Sequence, residues 1–200
     1  EVAFYRTAAD DSPLTTPRCF ATDHDPESDE FVLLMEDLAD AEVASQLDGC
    51  PLDLAEAAIG ALARHHAAFW ESPTFDDQLA WVPFGWDPPM PQGVQHGVAT
   101  AWEPFLAAFG DHLGDDIRSI GERFPAAAEE MMAFRSGPTT LCHGDYRLDN
   151  LFFTPGDAGP EVTAIDWQIC IRTAGAYDGC YFISQSLTIE DRRAHEQHLL

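Results

Sequence analysis

The stretch TTLCHGDYRLDNLFF, residues 139–153, places a His, two Asp, an Arg and an Asn between two apolar runs. The apolar runs predict two short buried strands anchored in the core by Leu141, Leu151 and Phe152, and Ile165 is expected to anchor the run before Asp166. Asp145 and Asn150 stand five residues apart on the connecting turn, and Asp166 closes another apolar run sixteen residues later. A carboxylate at the end of a buried strand is costly unless its charge is used. The pattern therefore indicates a functional site at the ends of short strands.

The residue types in this stretch fit the chemistry of phosphoryl transfer. Carboxylate and amide oxygens are ligands that Mg²⁺ accepts, and a further carboxylate beside them can take a proton from a hydroxyl group. Protein kinases use a loop of the form His-x-Asp-x-x-x-x-Asn, followed by a metal-binding Asp. This sequence has His143, Asp145 and Asn150 at the same spacing, and Asp166 follows in the segment IDW. The spacing therefore predicts a phosphotransferase site.

Three motifs in this order resemble the aminoglycoside phosphotransferase and choline kinase group, and within it the ecdysteroid-kinase-like branch. They are FVLLMEDL at 31–38, HGDYRLDN at 143–150 and IDW at 165–167, and the resemblance covers nearly the whole chain. It implies an α+β, protein-kinase-like fold. Residues 1–38 would be the end of the small β lobe and the hinge. Residues 39–200 would form a mainly helical large lobe, with a short β cluster at the active site.

The resemblance also implies roles for individual residues. Asp145 would be the catalytic base that orients the acceptor hydroxyl, and His143 would brace the loop through hydrogen bonds. Asn150 and Asp166 would hold Mg²⁺ ions that bridge the phosphates of ATP. Glu1 would match the helix glutamate that pairs with the nucleotide-binding lysine.

The same resemblance places the adenine ring of ATP at the hinge. Met35 would sit against the ring. The backbone of Glu36, Asp37 and Leu38 would hydrogen-bond its edge, since a hinge needs exposed N–H and C=O groups but no particular side chain.

Two features of the group are absent from the sequence. It has no Gly-rich phosphate loop, and it cannot supply the phosphate-contacting lysine, because it holds ten Arg and no Lys. Both features belong to the small lobe, upstream of residue 1. We therefore expect a fragment that lacks most of the N-terminal lobe, is cut inside its last helix and is inactive by itself. A degenerate kinase is the alternative explanation.

Composition narrows the range of partners. The net charge of −25 predicts a surface that repels nucleic acid and anionic membranes. The acidity fits either a solvated surface or a cleft for a cationic substrate. No stretch reaches the roughly 18 apolar residues of a membrane span. Five Cys without a CxxC pair predict reduced thiols in a cytoplasmic protein.

Periodicity and turn residues give the element order. Helices are expected at 1–9, 52–71, 99–113, 115–134, 176–187 and 190–200, and strands at 17–22, 30–38, 139–144, 150–154 and 162–167. The Pro-rich stretch 83–93 is expected to be a loop, and Pro104 and Pro125 to mark helix starts or kinks. Within the helix 52–71, only one of His65 and His66 is expected to face the core.

Side chains around the motifs leave some alternatives open. Arg147 is expected to form a structural ion pair, with contact to phosphate as the alternative. Asp178 and Tyr181, on the helix after the IDW motif, are candidates for the acceptor site.

Three functions are compatible with these residues. The first is an ATP- and Mg²⁺-dependent phosphotransferase acting on a small hydroxylated molecule, such as a sterol-like alcohol, an amino alcohol, a sugar or an aminoglycoside. The second is a non-catalytic nucleotide-binding pseudokinase. The third, a metal-dependent hydrolase built on His143, Asp145 and Asp166, lacks a second His at ligand spacing. The sequence leaves the acceptor and the oligomeric state open.

Overall fold

The computed structural model of the chain describes residues 1–133 and 137–200. Its helices of more than one turn are α1 Val2–Thr7, α2 Leu52–Ala68, α3 Met90–Phe109, α4 Asp115–Ala133, α5 Ala176–Ser186 and α6 Ile189–Leu199. Its strands are β1 Cys19–Asp25, β2 Glu30–Met35, β3 Thr140–Cys142, β4 Leu151–Gly156, β5 Gly159–Ala164 and β6 Ile171–Thr173. Short 3-10 turns, including Leu148–Asn150 and Trp167–Ile169, lie between these elements.

Most predicted elements are present, and the differences lie at their ends. Helix α3 begins at Met90, inside the stretch predicted as a loop. Pro104 and Pro125 lie within α3 and α4 rather than at helix starts. Pro104 is exposed, so water can solvate the carbonyl that loses its N–H partner. The three-residue strand β6 was not predicted, because its apolar run is too short to show a period.

The strands form three separate antiparallel pairs within the described residues. β1 pairs with β2, and β4 pairs with β5 in a hairpin closed by Gly156 and Gly159. β3 pairs with β6, with Thr140 opposite Thr173. This last pair joins the strand before the HGD motif to the strand after the IDW motif. The two polar motifs are thereby brought to one place.

An aromatic stack connects α1 to this region. Phe4 lies parallel to Trp167, with ring centroids 3.9 Å apart, and both side chains are fully buried. The buried His143 ring is tilted against Trp167, with ring centroids 4.5 Å apart. Of the expected strand anchors, Leu141 and Leu151 are fully buried, whereas Phe152 and Ile165 are only partly buried.

The described chain divides into two compact units, Glu1–Val82 with Pro138–Leu200, and Pro83–Gly137. The second unit is a helical hairpin of α3 and α4, tied by hydrogen bonds from Arg118 to the Gly110 carbonyl and from Gln95 to the Pro125 carbonyl. The lobe boundary at residue 38 stays a prediction.

Across residues 1–133 and 137–200, no helix combines the length and the apolar character that a membrane span requires.

Candidate active site

The HGD motif forms a tight turn directly after β3. Gly144 has φ +90°, and a Cβ atom there would lie 2.2 Å from the Ile169 carbonyl oxygen. Only glycine fits this turn, because an L side chain is strained at that φ and would also collide with backbone. The turn sends the next residue, Asp145, out of the core to a half-buried position.

Asp145 and Asn150 are held together by direct hydrogen bonds. The Asn150 amide nitrogen donates to the Asp145 carbonyl at 2.9 Å and to Asp145 Oδ2 at 3.0 Å. Arg147 Nε donates to the same Oδ2 at 3.1 Å, and its Nη1 pairs with Asp149. The hydrogen bond to Asp145 raises the pKa of Arg147, which keeps it charged. Arg147 therefore forms the ion pair expected of it, and one of its partners is the predicted base.

His143 is buried and uses both ring nitrogens within the protein. Nε2 lies 2.8 Å from the Ile165 carbonyl oxygen, and Nδ1 accepts the Asp145 N–H at 3.2 Å. Burial lowers the pKa of His143, so the ring is neutral and carries its proton on Nε2. A ring with both nitrogens engaged cannot also bind a metal, which argues against the hydrolase hypothesis.

Asp166 lies beside this loop, just after β5 ends. Its φ and ψ of 65° and 56° are left-handed, a conformation that Asp adopts more readily than most residues. The preceding N–H, that of Ile165, donates to the Asn150 carbonyl at 3.0 Å. Ile165 thus contacts both His143 and Asn150, and Asp166 is the next residue along the chain.

Glu1 lies at the start of α1, close to Asp166. Burial and the negative charge of Asp166 raise the pKa of Glu1. The expected lysine partner of Glu1 is not part of this chain, which has no Lys.

The predicted hinge residues follow β2. The Glu36 N–H donates to the Arg18 carbonyl at 2.9 Å, and the Leu38 carbonyl accepts the Ala41 N–H at 2.9 Å. Within the described residues, no protein partner binds the Glu36 carbonyl or the Leu38 N–H. Met35 is partly buried at the end of the strand. The hinge therefore presents one free acceptor and one free donor two residues apart.

Asp178 binds the backbone of the HGD loop from inside the core. It therefore does not line an acceptor site, as the sequence had suggested. Its fully buried carboxylate accepts the His143 N–H at 2.7 Å, the Gly144 N–H at 3.0 Å and His66 Nε2 at 3.0 Å. Burial raises the pKa of Asp178, but the hydrogen bonds from His66 and Gly144 outweigh it and leave the pKa below its ordinary value. Asp178 lies four residues before Phe182 on α5, so both side chains share one face of the helix. The apolar Phe182 was therefore a sequence signal that Asp178 points into the core.

The two adjacent histidines of α2 are both buried, so the expectation that only one faces the core is wrong. His65 bridges Ser12 Oγ at 2.9 Å and the Leu141 carbonyl at 3.0 Å. His66 reaches Asp178 on another side of the helix. Both can be buried because α2 is covered on more than one face. Burial lowers the pKa of His65 to about 3.

His66, Cys142 and Asp178 bring three potential ligand atoms within 4.8 Å of one another. Burial and the charge of Asp178 raise the pKa of the Cys142 thiol, so it is protonated. Asp178 already binds two backbone N–H groups. This cluster is a hydrogen-bonded support for the loop rather than a metal site.

Comparison with known proteins places the chain in a family. The model of the ecdysteroid kinase-like family matches residues 2–200. The chain belongs to this family. No curated protein matches it at the sequence level.

Solved structures show the fold. A complex of amicoumacin kinase hAmiN with AMP-PNP, Ca²⁺ and Ami has a TM-score of 0.61 and 12% identity, over 93% of this chain and 55% of that one. The GDP and kanamycin complex of APH(2″)-IIIa has a TM-score of 0.58 and 14% identity, over 94% and 61%. A choline/ethanolamine kinase family protein from Mesorhizobium loti has a TM-score of 0.53 and 14% identity, over 100% and 61%.

These similarities confirm the α+β, protein-kinase-like fold. The chain spans 55–61% of the length of these three proteins.

Proposed function

We propose that the protein transfers the γ-phosphoryl group of ATP, with Mg²⁺, to a hydroxyl group of a small molecule. The observation that carries this proposal is the hydrogen-bonded cluster of Asp145 and Asn150, which the Ile165 backbone joins to the neighbouring Asp166. Phosphoryl transfer depends mainly on positioning and charge stabilisation, and this cluster provides fixed oxygens for both.

Asp145 is proposed to bind and orient the acceptor hydroxyl. An ionised carboxylate offers about four lone-pair sites. Arg147 and Asn150 occupy only part of this capacity, both on Oδ2. Asp145 can therefore accept the acceptor O–H while its own side chain is held in place. It would then take the proton as the oxygen attacks phosphorus.

The hinge supports ATP as the nucleotide. The adenine edge carries an amino donor next to a ring-nitrogen acceptor. The free Glu36 carbonyl and Leu38 N–H offer the complementary pair, and the partly buried Met35 offers an apolar surface for the ring.

The side chains of Asn150 and Asp166 fit a hard divalent cation. Asn150 uses its amide nitrogen on Asp145. Its side-chain oxygen accepts no hydrogen bond among the described residues, and its backbone carbonyl accepts the N–H of Ile165, the residue before Asp166. Oxygen donors of this kind suit Mg²⁺. When bound, Mg²⁺ would neutralise the charge of the ATP phosphates.

The acceptor is proposed to be a small hydroxylated molecule, and we place the protein in the cytoplasm. Nucleotide use and five free cysteines fit a reducing, ATP-containing compartment.

The test is carried out on the full-length protein with three variants. Thermal unfolding is measured with and without ATP and Mg²⁺, and ADP formation is measured with a panel of hydroxylated acceptors. ATP at about 100 times its dissociation constant should stabilise the parent by about 2.7 kcal/mol. Asp166→Ala should lose the Mg²⁺-dependent part of this shift. Asp145→Asn should keep the shift but lose phosphotransfer. Asp157→Asn, an exposed carboxylate on the β4–β5 turn, is the matched control and should change neither.

The outcomes separate the competing functions. Mg²⁺-dependent ATP binding with no phosphotransfer to any acceptor would favour the pseudokinase. An Asp166→Ala protein that keeps the full Mg²⁺-dependent shift would contradict the metal assignment. The absence of any ATP-dependent shift in the parent would contradict the proposed function as a whole.

A further inference from the structure

The guanidinium group of Arg147 is held beside the proposed base by contacts from two parts of the fold. Its Nε donates to Asp145 Oδ2 at 3.1 Å, and its Nη1 donates to Asp149. Nη1 also donates to Gln46 Oε1 at 3.4 Å, and Gln46 belongs to the segment between β2 and α2, 101 residues away. The plane of the guanidinium group is therefore set by the HGD loop and by a separate segment together.

The remaining nitrogen of this guanidinium group is free. Nη2 forms no hydrogen bond within the described ranges, and the Arg147 side chain is partly exposed. Arginine presents its N–H donors in one rigid plane, and Nε and Nη2 share one edge of that plane. The Nε–H bond and the nearer Nη2–H bond are therefore parallel. Since Nε–H points at the Asp145 carboxylate, the free Nη2–H points past it on the same side.

This free donor lies where a transferring phosphoryl group must pass. In the proposed function, the acceptor hydroxyl is bound to Asp145. Reacting atoms lie about 3–3.5 Å apart just before reaction, so only the acceptor oxygen separates the γ-phosphorus from the base. A donor parallel to the bond between Arg147 and Asp145 is directed at the oxygens of that phosphoryl group.

The charges at the site also call for a cation at this position. Asp145, Asp149 and Asp166 are carboxylic side chains, and the transferring phosphoryl group is itself negative. The chain supplies no Lys to offset them. A planar guanidinium group can bind carboxylate and phosphate oxygens with the same geometry. The ion pair with Asp145 therefore does not prevent Arg147 from contacting phosphate, because the two contacts use different nitrogens.

We propose that Arg147 is a catalytic residue whose guanidinium group bridges the base and the transferring phosphoryl group. This inference rests on the proposed function. Nε holds the Asp145 carboxylate, and Nη2 donates a hydrogen bond to a γ-phosphoryl oxygen. In the transfer step, the acceptor oxygen bonds to phosphorus, the bond from phosphorus to the ADP oxygen breaks, and the acceptor proton passes to Asp145. Arg147 gives up no proton and stabilises the charge on the phosphoryl oxygens.

The first experiment measures how the full-length protein binds a transition-state analogue. The probe is MgADP with aluminium fluoride, which takes the place of the transferring phosphoryl group and requires no knowledge of the acceptor. In the parent, aluminium fluoride should tighten ADP binding. Arg147→Gln should lose about 100-fold of this gain, as for the removal of one preorganised donor to a developing oxyanion. Its affinity for MgADP alone and its melting temperature should stay at parental values.

Hydrolysis of MgATP, with water as the acceptor, gives a second readout. Arg147→Gln should lower kcat by about 100-fold and change the KM for ATP by less than about threefold. Arg147→Lys keeps a positive charge between Asp145 and Asp149, so it serves as the variant in which folding is least disturbed. Its ammonium group lacks the two parallel donors of arginine, and kcat should still fall about tenfold. The matched control is Arg193→Gln, which removes an exposed arginine on α6 and should match the parent in both experiments.

The outcomes separate this inference from the proposed function. An Arg147→Gln protein that gains as much affinity from aluminium fluoride as the parent would overturn the inference. An equal loss in the affinity for MgADP alone, or a fully active Arg147→Lys, would also overturn it, because either result fits a structural ion pair. A parent that neither responds to aluminium fluoride nor hydrolyses ATP would contradict the proposed function, and the role of Arg147 with it.

Discussion

The Asp178→Asn substitution tests how strongly one buried carboxylate holds the catalytic loop. Asp178 is fully buried and accepts three hydrogen bonds, from the His143 N–H, the Gly144 N–H and His66. Asparagine keeps the shape but replaces one acceptor oxygen with an NH₂ group. In the better orientation, the amide oxygen takes the place of Oδ2 and still serves His143 and His66. The NH₂ group then faces the Gly144 N–H, donor against donor.

The magnitude follows from these contacts. Two hydrogen bonds change from a charged to a neutral acceptor, which costs about 1 kcal/mol each, and one buried donor loses its partner, which costs about 1–3 kcal/mol. Neutral asparagine avoids the cost of burying a charge, which offsets part of this loss. We therefore expect the free energy of unfolding to fall by about 3 kcal/mol. That is a large share of the roughly 5–15 kcal/mol that stabilises a typical domain.

Urea denaturation at pH 7 measures the effect. With a slope of about 2 kcal/mol per molar urea, the midpoint should fall by about 1.5 M. Asp157→Asn, which removes an exposed charge on the β4–β5 turn, should shift the free energy by less than about 0.5 kcal/mol. The reasoning is refuted if Asp178→Asn unfolds at the same urea concentration as Asp157→Asn.

Two other predictions concern single buried positions. Because the pKa of His65 falls from 6.5 to about 3 on folding, the unfolded chain binds a proton between these pH values that the folded protein does not, and stability falls as pH drops. From pH 6 to pH 5 this linkage lowers the free energy of unfolding by about 1.2 kcal/mol. In urea denaturation, the stability of His65→Gln should therefore depend less on pH than that of the control His112→Gln, which changes an exposed histidine. An equal pH dependence of the two variants would contradict the lowered pKa of His65. Gly144→Ala would place a Cβ 2.2 Å from a backbone oxygen at φ +90°, and should cost about 3 kcal/mol or more and abolish phosphotransfer. The control Gly179→Ala lies inside α5 with open space around the added Cβ, and it should be neutral or stabilising by up to about 1 kcal/mol. A similar loss of stability in both variants would show that the turn geometry at Gly144 does not cause the destabilisation.

A sequence reveals a site most directly where chemistry and spacing coincide in a short segment. The motif from His143 to Asn150 could be recognised because its residue types and spacing together define a loop. The family and the α+β, protein-kinase-like fold followed from that motif and are confirmed. The roles of Met35 and Asp166 in binding nucleotide and metal stay predictions.

The sequence was less informative where a residue owes its role to a distant partner. Asp178 lies 35 residues from His143, and His66 lies 112 residues from Asp178. Neither pairing leaves a local pattern. The burial of both His65 and His66 was missed for a related reason. A hydrophobic period identifies one buried face of a helix, but it does not show how many faces other elements cover.

The sequence by itself determined the candidate reacting residue types, their order and the turn that connects Asp145 to Asn150, because these depend on local spacing and on the chemistry of single side chains. Only the tertiary structure decided which groups support the base. The pairing of β3 with β6 and the packing of α5 against the loop bring Asp178 to the N–H groups of His143 and Gly144, directly before Asp145. Such contacts form when buried surfaces close over one another and every enclosed N–H group must find an acceptor.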